Sequence, residues 1–518
     1  MWAASSHFLT TDPRSMAQSS FPLPGVDLLT RNTLWNFAGV LLPLAVAVAV
    51  MPWLINSLGT ERFGMLTLAW VVLGYFGLFD LGLGRALTQI ISARLSKGED
   101  VQIAGIVWTA SLLMLLLGVV GGVALFLTAH WLIYEILNVP ETLRAESLIA
   151  IQFIAAGVPI VISTAGMRGV LEAYQRFDLV NIVRVFNGTL TFLGPLAAAV
   201  FFNNLAVMVF VLLVVRVIVW FVYLGFCLRI VPGLRKGVRL QPASMPMLLN
   251  FGGWMTVTNI VGPLMDYMDR FLVAALLSMA AVAYYATPFE VVTKLLFVAG
   301  ALVGVLFPAF AASHVRDPQL FAQLFVKGLK YIFILVFPAV LVTVVLAGEG
   351  LLWWLGGEFS LHSTAVLRWL AIGVLVNSLA QVPYALLQGA GRPDLTAKLH
   401  LVELPLYLLG VWWAIGRYGI EGAALAWTAR VSLDALLLFV LAKRLLPHTQ
   451  LVNVKSMTTM TLAIMALIMA FLPLTMGAKV TMLALLLLLF VVFVWTRLLD
   501  SVERRQLGTY LTMGRSTP

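Results

Sequence analysis

Long apolar runs dominate this chain and leave it few places to fold except a membrane. Fourteen stretches are predominantly apolar: about 33–57, 64–93, 102–133, 147–174, 179–202, 205–231, 246–274, 280–313, 326–348, 363–389, 395–417, 420–446, 454–475 and 477–498. Roughly 20 apolar residues in a helix cross the hydrocarbon core of a bilayer. The runs are continuous rather than ten-residue alternating segments, which argues for helices and against barrel strands. Of the 518 residues, 61% are hydrophobic and 11% charged, whereas soluble domains carry roughly 25% charged residues. Lipid must therefore serve as solvent for most of the apolar surface. The expected fold class is an all-α polytopic membrane protein with about 14 transmembrane helices.

The chain also repeats itself. Leu171-Glu172-Ala173-Tyr174-Gln175-Arg176-Phe177-Asp178-Leu179 returns in the second half as Leu387-Gln388-Gly389-Ala390-Gly391-Arg392-Pro393-Asp394-Leu395. Asn36-Phe37-Ala38-Gly39 returns as Asn250-Phe251-Gly252-Gly253, at nearly the same offset along the chain. Two distant landmarks with nearly one offset imply two homologous halves, the architecture of transporters whose halves rock about a central site. The expected organisation is a cytoplasmic tail (1–30), an N-lobe of six spans (31–231), a C-lobe of six spans (232–446), two further spans (447–500) and a second tail (501–518).

Lys and Arg concentrate in the tails and in the even-to-odd connections. Arg94, Lys97, Arg176, Arg235, Lys236, Arg239, Arg316, Lys327, Lys443 and Arg505 are examples; Arg62, Arg144, Arg417 and Lys479 occupy the opposite side. The positive-inside rule then puts both termini in the cytoplasm. With six spans each, the halves enter in the same orientation, as parallel repeats. Residues 1–28 lack the apolar core of a signal peptide and read as a cytoplasmic tail. No connection exceeds roughly two dozen residues, too short for a folded domain.

These features exclude several classes of function. The net charge of +10 sits in short loops between apolar spans, so nucleic acid is not an expected partner. Cys227 is the single cysteine, which rules out an internal disulfide and disfavours a thiolate metal site. No catalytic triad order, phosphate loop or His-x-x-x-His pair is present, and the six histidines fall in tails, loops or span ends. The chain is expected not to be an enzyme and to carry no metal and no cofactor, apart from a coupling ion, H+ or Na+.

Charges inside the spans need a reason, because each costs about 2.5–3.5 kcal/mol or more at mid-membrane. Asp266 and Arg270, Glu290 and Lys294, and Arg430 and Asp434 each stand at i, i+4 on one helix face. They read either as self-neutralised pairs or as the wall of a hydrated cavity. Asp266, Tyr267, Asp269 and Arg270 crowd one segment and are the stronger cavity candidates. Arg216 has no carboxylate at i±3 or i±4, and Arg430 follows it at the offset that separates Asn36 from Asn250. The two read as symmetry-related cavity arginines, or as arginines that hydrogen-bond backbone carbonyls. Asp80 and Arg85 flank Gly82 and Gly84, glycines suited to close helix contact or local unwinding. Asn36 and Asn250 are repeat-related polar residues that either line the cavity or join helices.

Several of these motifs resemble a known family. Arg31-Asn32-Thr33-Leu34-Trp35-Asn36, Leu58-Gly59-Thr60-Glu61-Arg62-Phe63-Gly64-Met65-Leu66 and Phe79-Asp80-Leu81-Gly82-Leu83-Gly84-Arg85-Ala86-Leu87-Thr88 resemble the N-terminal signature of bacterial polysaccharide-export flippases. These form the Wzx-like, polysaccharide-transport branch of the MOP exporter superfamily. Asp269-Arg270-Phe271-Leu272, Ala283-Tyr284-Tyr285-Ala286-Thr287-Pro288-Phe289-Glu290 and Gly419-Ile420-Glu421-Gly422-Ala423 are similar to later parts of the same pattern. The resemblance implies a V-shaped pair of six-helix bundles with two extra helices. It implies alternating-access export of an undecaprenyl-pyrophosphate-linked oligosaccharide, for O-antigen or exopolysaccharide, across the bacterial inner membrane. Membrane lipids, a glycan polymerase and a chain-length regulator are the implied partners, and a monomer is the expected state. Arg31, Arg85, Arg216, Arg270, Arg430, Asn36, Asn250 and Tyr284 become candidates for substrate contact. Asp80, Asp266, Asp269, Glu290 and Lys294 become candidates for ion coupling. A lipid II flippase and a cation-coupled multidrug exporter are the rival readings within the superfamily. A membrane glycan polymerase or ligase is the rival of a different class.

Overall fold

The computed structural model describes residues 26–78, 82–96, 98, 100–242, 245–446 and 454–505. Among these, α1 (Val26–Leu78), α2 (Leu83–Ser96), α3 (Asp100–Trp131), α4 (Glu141–Ala173), α5 (Phe177–Phe201) and α6 (Leu205–Ile230) build the first half. The second half holds α7 (Met245–Leu276), α8 (Met279–Val292), α9 (Leu296–Arg316), α10 (Pro318–Val345), α11 (Ala347–Leu355), α12 (Gly357–Gly389) and α13 (Pro393–Leu445). Two helices close the chain, α14 (Val454–Met469) and α15 (Met476–Phe493). Ten of the described helices are long and apolar enough to cross a membrane.

Two of the ten are broken. A straight helix of 53 residues, the length of α1 and of α13, would be about 80 Å long, far more than a bilayer. Gly59 (φ 74°) breaks α1 and Gly419 (φ 58°) breaks α13, because glycine enters that backbone region without a Cβ clash. At the second break the chain doubles back: a Cβ on Gly422 would overlap the Ala414 carbonyl oxygen.

Expected spans 2 and 8 are not continuous helices. The second is broken at Gly82, where φ is 72°, and α2 begins at Leu83. Beyond this turn α2 lies tightly on α4, where a Cβ on Gly169 would stand 2.6 Å from the Gly84 carbonyl oxygen. Thr88 Oγ1 spans the contact, donating to one of the carbonyl oxygens of Gly84 and Gly169, at 3.0 and 3.1 Å. The eighth is interrupted by a 3-10 turn at Thr293–Leu295.

Helix-interior prolines leave carbonyls four residues earlier without their partners. Pro288 frees the Tyr284 carbonyl, and Ser363 Oγ of α12 donates to it at 2.7 Å. Pro52 frees the Val48 carbonyl, and Trp354 Nε1 of α11 donates to that one at 2.7 Å. The second bond joins the two halves.

The repeat is written into the backbone. α4 and α12, related by the repeat, end in the same Schellman turn. Arg176 N–H donates to Leu171 O at 2.9 Å and Gln175 N–H to Glu172 O at 3.0 Å. Arg392 N–H donates to Leu387 O at 2.9 Å and Gly391 N–H to Gln388 O at 3.0 Å. Each turn is followed by an Arg–Asp pair, Arg176–Asp178 and Arg392–Asp394, both at 3.0 Å. The left-handed position is Gln175 (φ 57°) in one half and Gly391 (φ 74°) in the other. A left-handed non-glycine residue costs roughly 1–2 kcal/mol. By that measure, Gln175→Gly is expected to stabilise the protein by about 1 kcal/mol and Gly391→Ala to destabilise it by a similar amount. Thermal unfolding of the detergent-solubilised protein checks both.

α2 contacts α7 across the halves, and the halves also meet closely at the end that carries the Gly59 and Leu277–Ser278 turns, which the positive-inside rule would make the external end. There a Cβ on Gly64 would overlap the Met279 carbonyl oxygen. Asn138, between α3 and α4, donates its backbone N–H to Ala274 O at 3.0 Å and its side-chain amide to Ala275 O at 2.7 Å.

The last helix is latched at both ends. Lys479 Nζ lies 2.6 Å from Glu349 of α11. Beyond the other end, Glu503 accepts from Lys330 Nζ at 2.5 Å and Tyr331 Oη at 2.6 Å. Burial pushes the Glu503 carboxyl up, but hydrogen bonds from Lys330 and Tyr331 outweigh it and hold the group at about 2. A depressed carboxyl contributes stability above its unfolded value of roughly 4.3, and that stability is lost as pH falls toward the folded value. Glu503→Gln should lower stability by about 1 kcal/mol at pH 7, the size of a partly screened pair. Its deficit relative to the parent should shrink between about pH 4 and pH 2 in melts over that range.

Candidate functional site

Three helices of the second half supply the densest charge within the spans. On α7, Asp266, Asp269 and Arg270 stand at i, i+3 and i+4 and share a face. On α13, His400, Glu403 and Tyr407 share a face before the Gly419 break, and Arg430 and Asp434 share one after it. α8 adds Tyr285, Phe289 and Glu290.

Arg270 is fully buried. Its Nη2 lies 3.5 Å from Glu290 and its Nη1 3.9 Å from Asp269. Nη1 also donates to the Asp266 backbone oxygen at 2.8 Å. The guanidinium lies over the Phe289 ring at 4.3 Å and the Tyr267 ring at 5.2 Å, distances suited to cation–π attraction. Asp269, also fully buried, accepts from Tyr285 Oη at 2.5 Å and from its neighbour's backbone N–H at 2.7 Å. Glu290 also pairs with Lys294 at 3.1 Å.

Of the three i, i+4 pairs expected from sequence, only Glu290–Lys294 forms between side chains. Arg270 turns to the Asp266 backbone, and the Asp266 carboxylate faces Arg430 at 3.7 Å. Asp434 faces His400 Nε2 at 3.6 Å instead of Arg430. Interhelical partners win because they neutralise a charge and join two helices at once, which an intrahelical pair cannot do. The Asp266 side chain is 56% exposed although it lies two-thirds of the way along a membrane-length helix. A carboxylate at that depth needs water or a cationic partner rather than lipid, and here its partner is Arg430.

Arg216 donates to Asn187 Oδ1 at 3.0 Å, and Asn187 stands to Glu403 as Leu171 stands to Leu387 in the repeat. The symmetry of Arg216 and Arg430 thus holds in position and not in chemistry. An amide faces the first arginine, and the second lies among carboxylates. Arg85 is exposed on α2, within electrostatic reach of Tyr384 on α12. Tyr284 is not central. Its hydroxyl donates to Glu358 at 3.0 Å and its ring stacks on His362, at the external end. Asp80 and the side chains of Arg31, Asn36 and Asn250 lie outside the described residues.

His400 and Glu403 did not stand out in the sequence, where the histidines read as loop or span-end residues. The usable signal was the i, i+3, i+7 spacing of His400, Glu403 and Tyr407, which stacks three polar groups on one face.

A cavity of about 420 Å³ lies on the opposite side of α7, between the halves. Leu264, Tyr267, Met268, Phe271 and Leu272 of α7 form one wall, and Leu68, Val72 and Phe76 of α1 are among those facing them. The lining is almost entirely apolar. α7 thus separates a charged surface from an apolar pocket.

Comparison with known proteins places this geometry. Residues 57–364 match the family described as polysaccharide biosynthesis protein. A Shigella flexneri protein assigned as an O-antigen transporter is 30% identical over 414 residues, covering 79% of this chain and 96% of its own length. The lipopolysaccharide biosynthesis protein WzxC of Escherichia coli is 22% identical over 376 residues, 72% of each chain. Among solved structures, an inward-facing multidrug resistance MATE transporter of the MOP superfamily aligns with TM-score 0.67 at 14% identity, over 82% of this chain and 99% of its own. The lipid II flippase MurJ, in an inward closed conformation, aligns with TM-score 0.66 at 12% identity, over 90% and 99%. The chain therefore belongs to the polysaccharide biosynthesis protein family, the Wzx-like branch of the MOP exporters, and is a multi-pass membrane transporter.

Proposed function

We propose that the protein flips an undecaprenyl-pyrophosphate-linked oligosaccharide from the cytoplasmic to the periplasmic leaflet of a bacterial inner membrane, with both termini in the cytoplasm. The observation that carries this reading is the division made by α7. An apolar pocket on one face suits a polyprenyl chain, and beyond the other face Arg430, set opposite Asp266, offers a guanidinium to an anionic headgroup once that carboxylate is neutralised. The names of the Shigella and E. coli relatives point to the same class of cargo.

In this mechanism the cargo enters between the halves from the cytoplasmic side, which requires α2 to part from α7, the two being in contact in this state. Arg430 and Arg85 meet the pyrophosphate. Arg270 is too enclosed to touch it and acts by holding α7 against α8. Cation coupling runs through Asp266, whose carboxylate faces Arg430, with Asp269 and Glu290 behind it. Protonation of Asp266, or a bound Na+, would release Arg430 for the pyrophosphate, and the returning anion would displace the ion.

The test uses a deletion strain, following lipid-linked glycan with an impermeant lectin and periplasmic ligation. Accumulation on the cytoplasmic face, reversed by the intact gene and not by Arg430→Ala, is the expected result. Normal surface glycan in the deletion strain would overturn the flippase reading, and new sensitivity to cationic dyes would point to a drug exporter. Coupling is tested separately. Well-expressed Asp266→Asn and Asp269→Asn variants whose transport keeps its full dependence on the ion gradient would exclude the proposed route.

A further inference from the structure

Behind the Asp266–Arg430 pair, His400, Glu403 and Asp434 bring one donor atom each within 4.8 Å of one another, between the two arms of α13. Glu403 is the unusual member. It is 3% exposed, and neither carboxylate oxygen has a hydrogen-bond partner. Asp434 Oδ1 has none either; it faces His400 Nε2 at 3.6 Å, too far for a hydrogen bond. A buried carboxylate without donors is costly, and burial forces such groups to be paired or to coordinate metal. Ligands of one tetrahedral Zn2+, each about 2.0–2.1 Å from the ion, stand about 3.4 Å from each other, close to the His400–Asp434 spacing.

Charge points the same way. Glu403 and Asp434 lie within electrostatic reach of each other, and Arg430, which is within reach of Glu403, faces Asp266 at 3.7 Å. Arg430 is also engaged elsewhere, by Met265 Sδ at 3.3 Å and the Tyr407 ring at 5.4 Å. When Glu403 and Asp434 are both ionised and Arg430 is paired with Asp266, the two carboxylates are left with two negative charges, the amount one divalent cation cancels. One imidazole and two carboxylates suit Zn2+ or Mn2+ and leave coordination positions open.

We infer that His400, Glu403 and Asp434 form a divalent-cation site, with Zn2+ or Mn2+ as its occupant, between the two arms of α13. The site holds the arms of α13 together and completes the coordination of Glu403. It stands independently of which cargo the protein moves.

The test titrates Mn2+ into the purified, EDTA-stripped full-length protein and follows the free-ion signal by electron paramagnetic resonance. One Mn2+ per chain, bound at micromolar concentration and displaced by Zn2+, is the expected result. Glu403→Gln and Asp434→Asn should each weaken binding at least tenfold. Zn2+ should raise the melting temperature of the parent protein by several degrees, a readout that needs no variant. Absence of saturable Mn2+ binding below millimolar concentration overturns the inference and leaves Glu403 as a protonated carboxyl. Binding that persists unchanged in both variants overturns it as well, by placing the ion elsewhere.

Discussion

Arg270→Ala is expected to lower stability by about 3–5 kcal/mol, the range for removing one partner of a buried ion pair. The size follows from what is left behind. Asp269 is fully buried and would keep only Tyr285 and a backbone N–H as donors. Glu290 would keep Lys294 alone. Two stacked rings, Phe289 and Tyr267, would lose their cation, and the cavity would add a packing term. Arg270→Ala should therefore yield little monodisperse protein in detergent, measured by fluorescence-detected size exclusion and thermal unfolding. Adding Asp269→Asn should recover part of the loss, since it removes a charge the arginine no longer balances. Equal loss in the single and double variants would show that packing, rather than charge, explains the site. Arg270→Lys should fall between, because an ammonium cannot reach two carboxylates and two rings with one planar group.

Gly64→Ala is the second change with a large expected effect, and it acts on transport more than on folding. The added methyl would collide with the Met279 backbone, which cannot move aside as a flexible side chain could. Gly64 and Met279 belong to different halves, so the collision is relieved by parting them at the external end. Export should fall more than tenfold in the complementation assay, with near-parental expression. Cysteines placed at Asn138 and Ala275, in a Cys227→Ser background, should report the cause. A short bismaleimide should crosslink them readily in the parent and poorly with Gly64→Ala. Unchanged crosslinking together with lost export would move the effect from the lobe contact to the interior of α1.

Much of the fold was legible because lipid imposes simple rules. Apolar run length pointed to an all-helical polytopic chain, and ten of the described helices are long and apolar enough to span. The offset shared by the repeated segments pointed to two related halves, and the backbone carries matching turns at Gln175 and Gly391. Gly82 and Gly84 marked a place for local unwinding, and the backbone breaks at Gly82, whereas the interruption at Thr293–Leu295 was harder to see. Hydropathy averages over a stretch as long as a whole span, whereas a break depends on one glycine or on where one proline's orphaned carbonyl finds a donor. The site was legible as a set of charged residues and not as a set of partners. Spacing along one helix pairs Arg430 with Asp434, but the sequence does not say that α7 brings Asp266 to Arg430 or that the earlier arm of α13 brings His400 to Asp434. The weight of Glu403 was invisible for the same reason, since a single glutamate in a span gives no sign that it lacks a donor.

The bond from Trp354 to the Val48 carbonyl has a consequence for the resting equilibrium. Pro52 has already removed that carbonyl's helical partner, so any rearrangement that withdraws α11 from α1 strands an acceptor where water is scarce. Such a group costs about 1–3 kcal/mol. The indole thus weights the closed external state by a factor of roughly 5 to 150, and the cargo or the coupling ion has to bind the open state better by at least that ratio to reverse it. A proline that looks like a helix defect is, on this view, part of what sets the resting populations of the transport cycle.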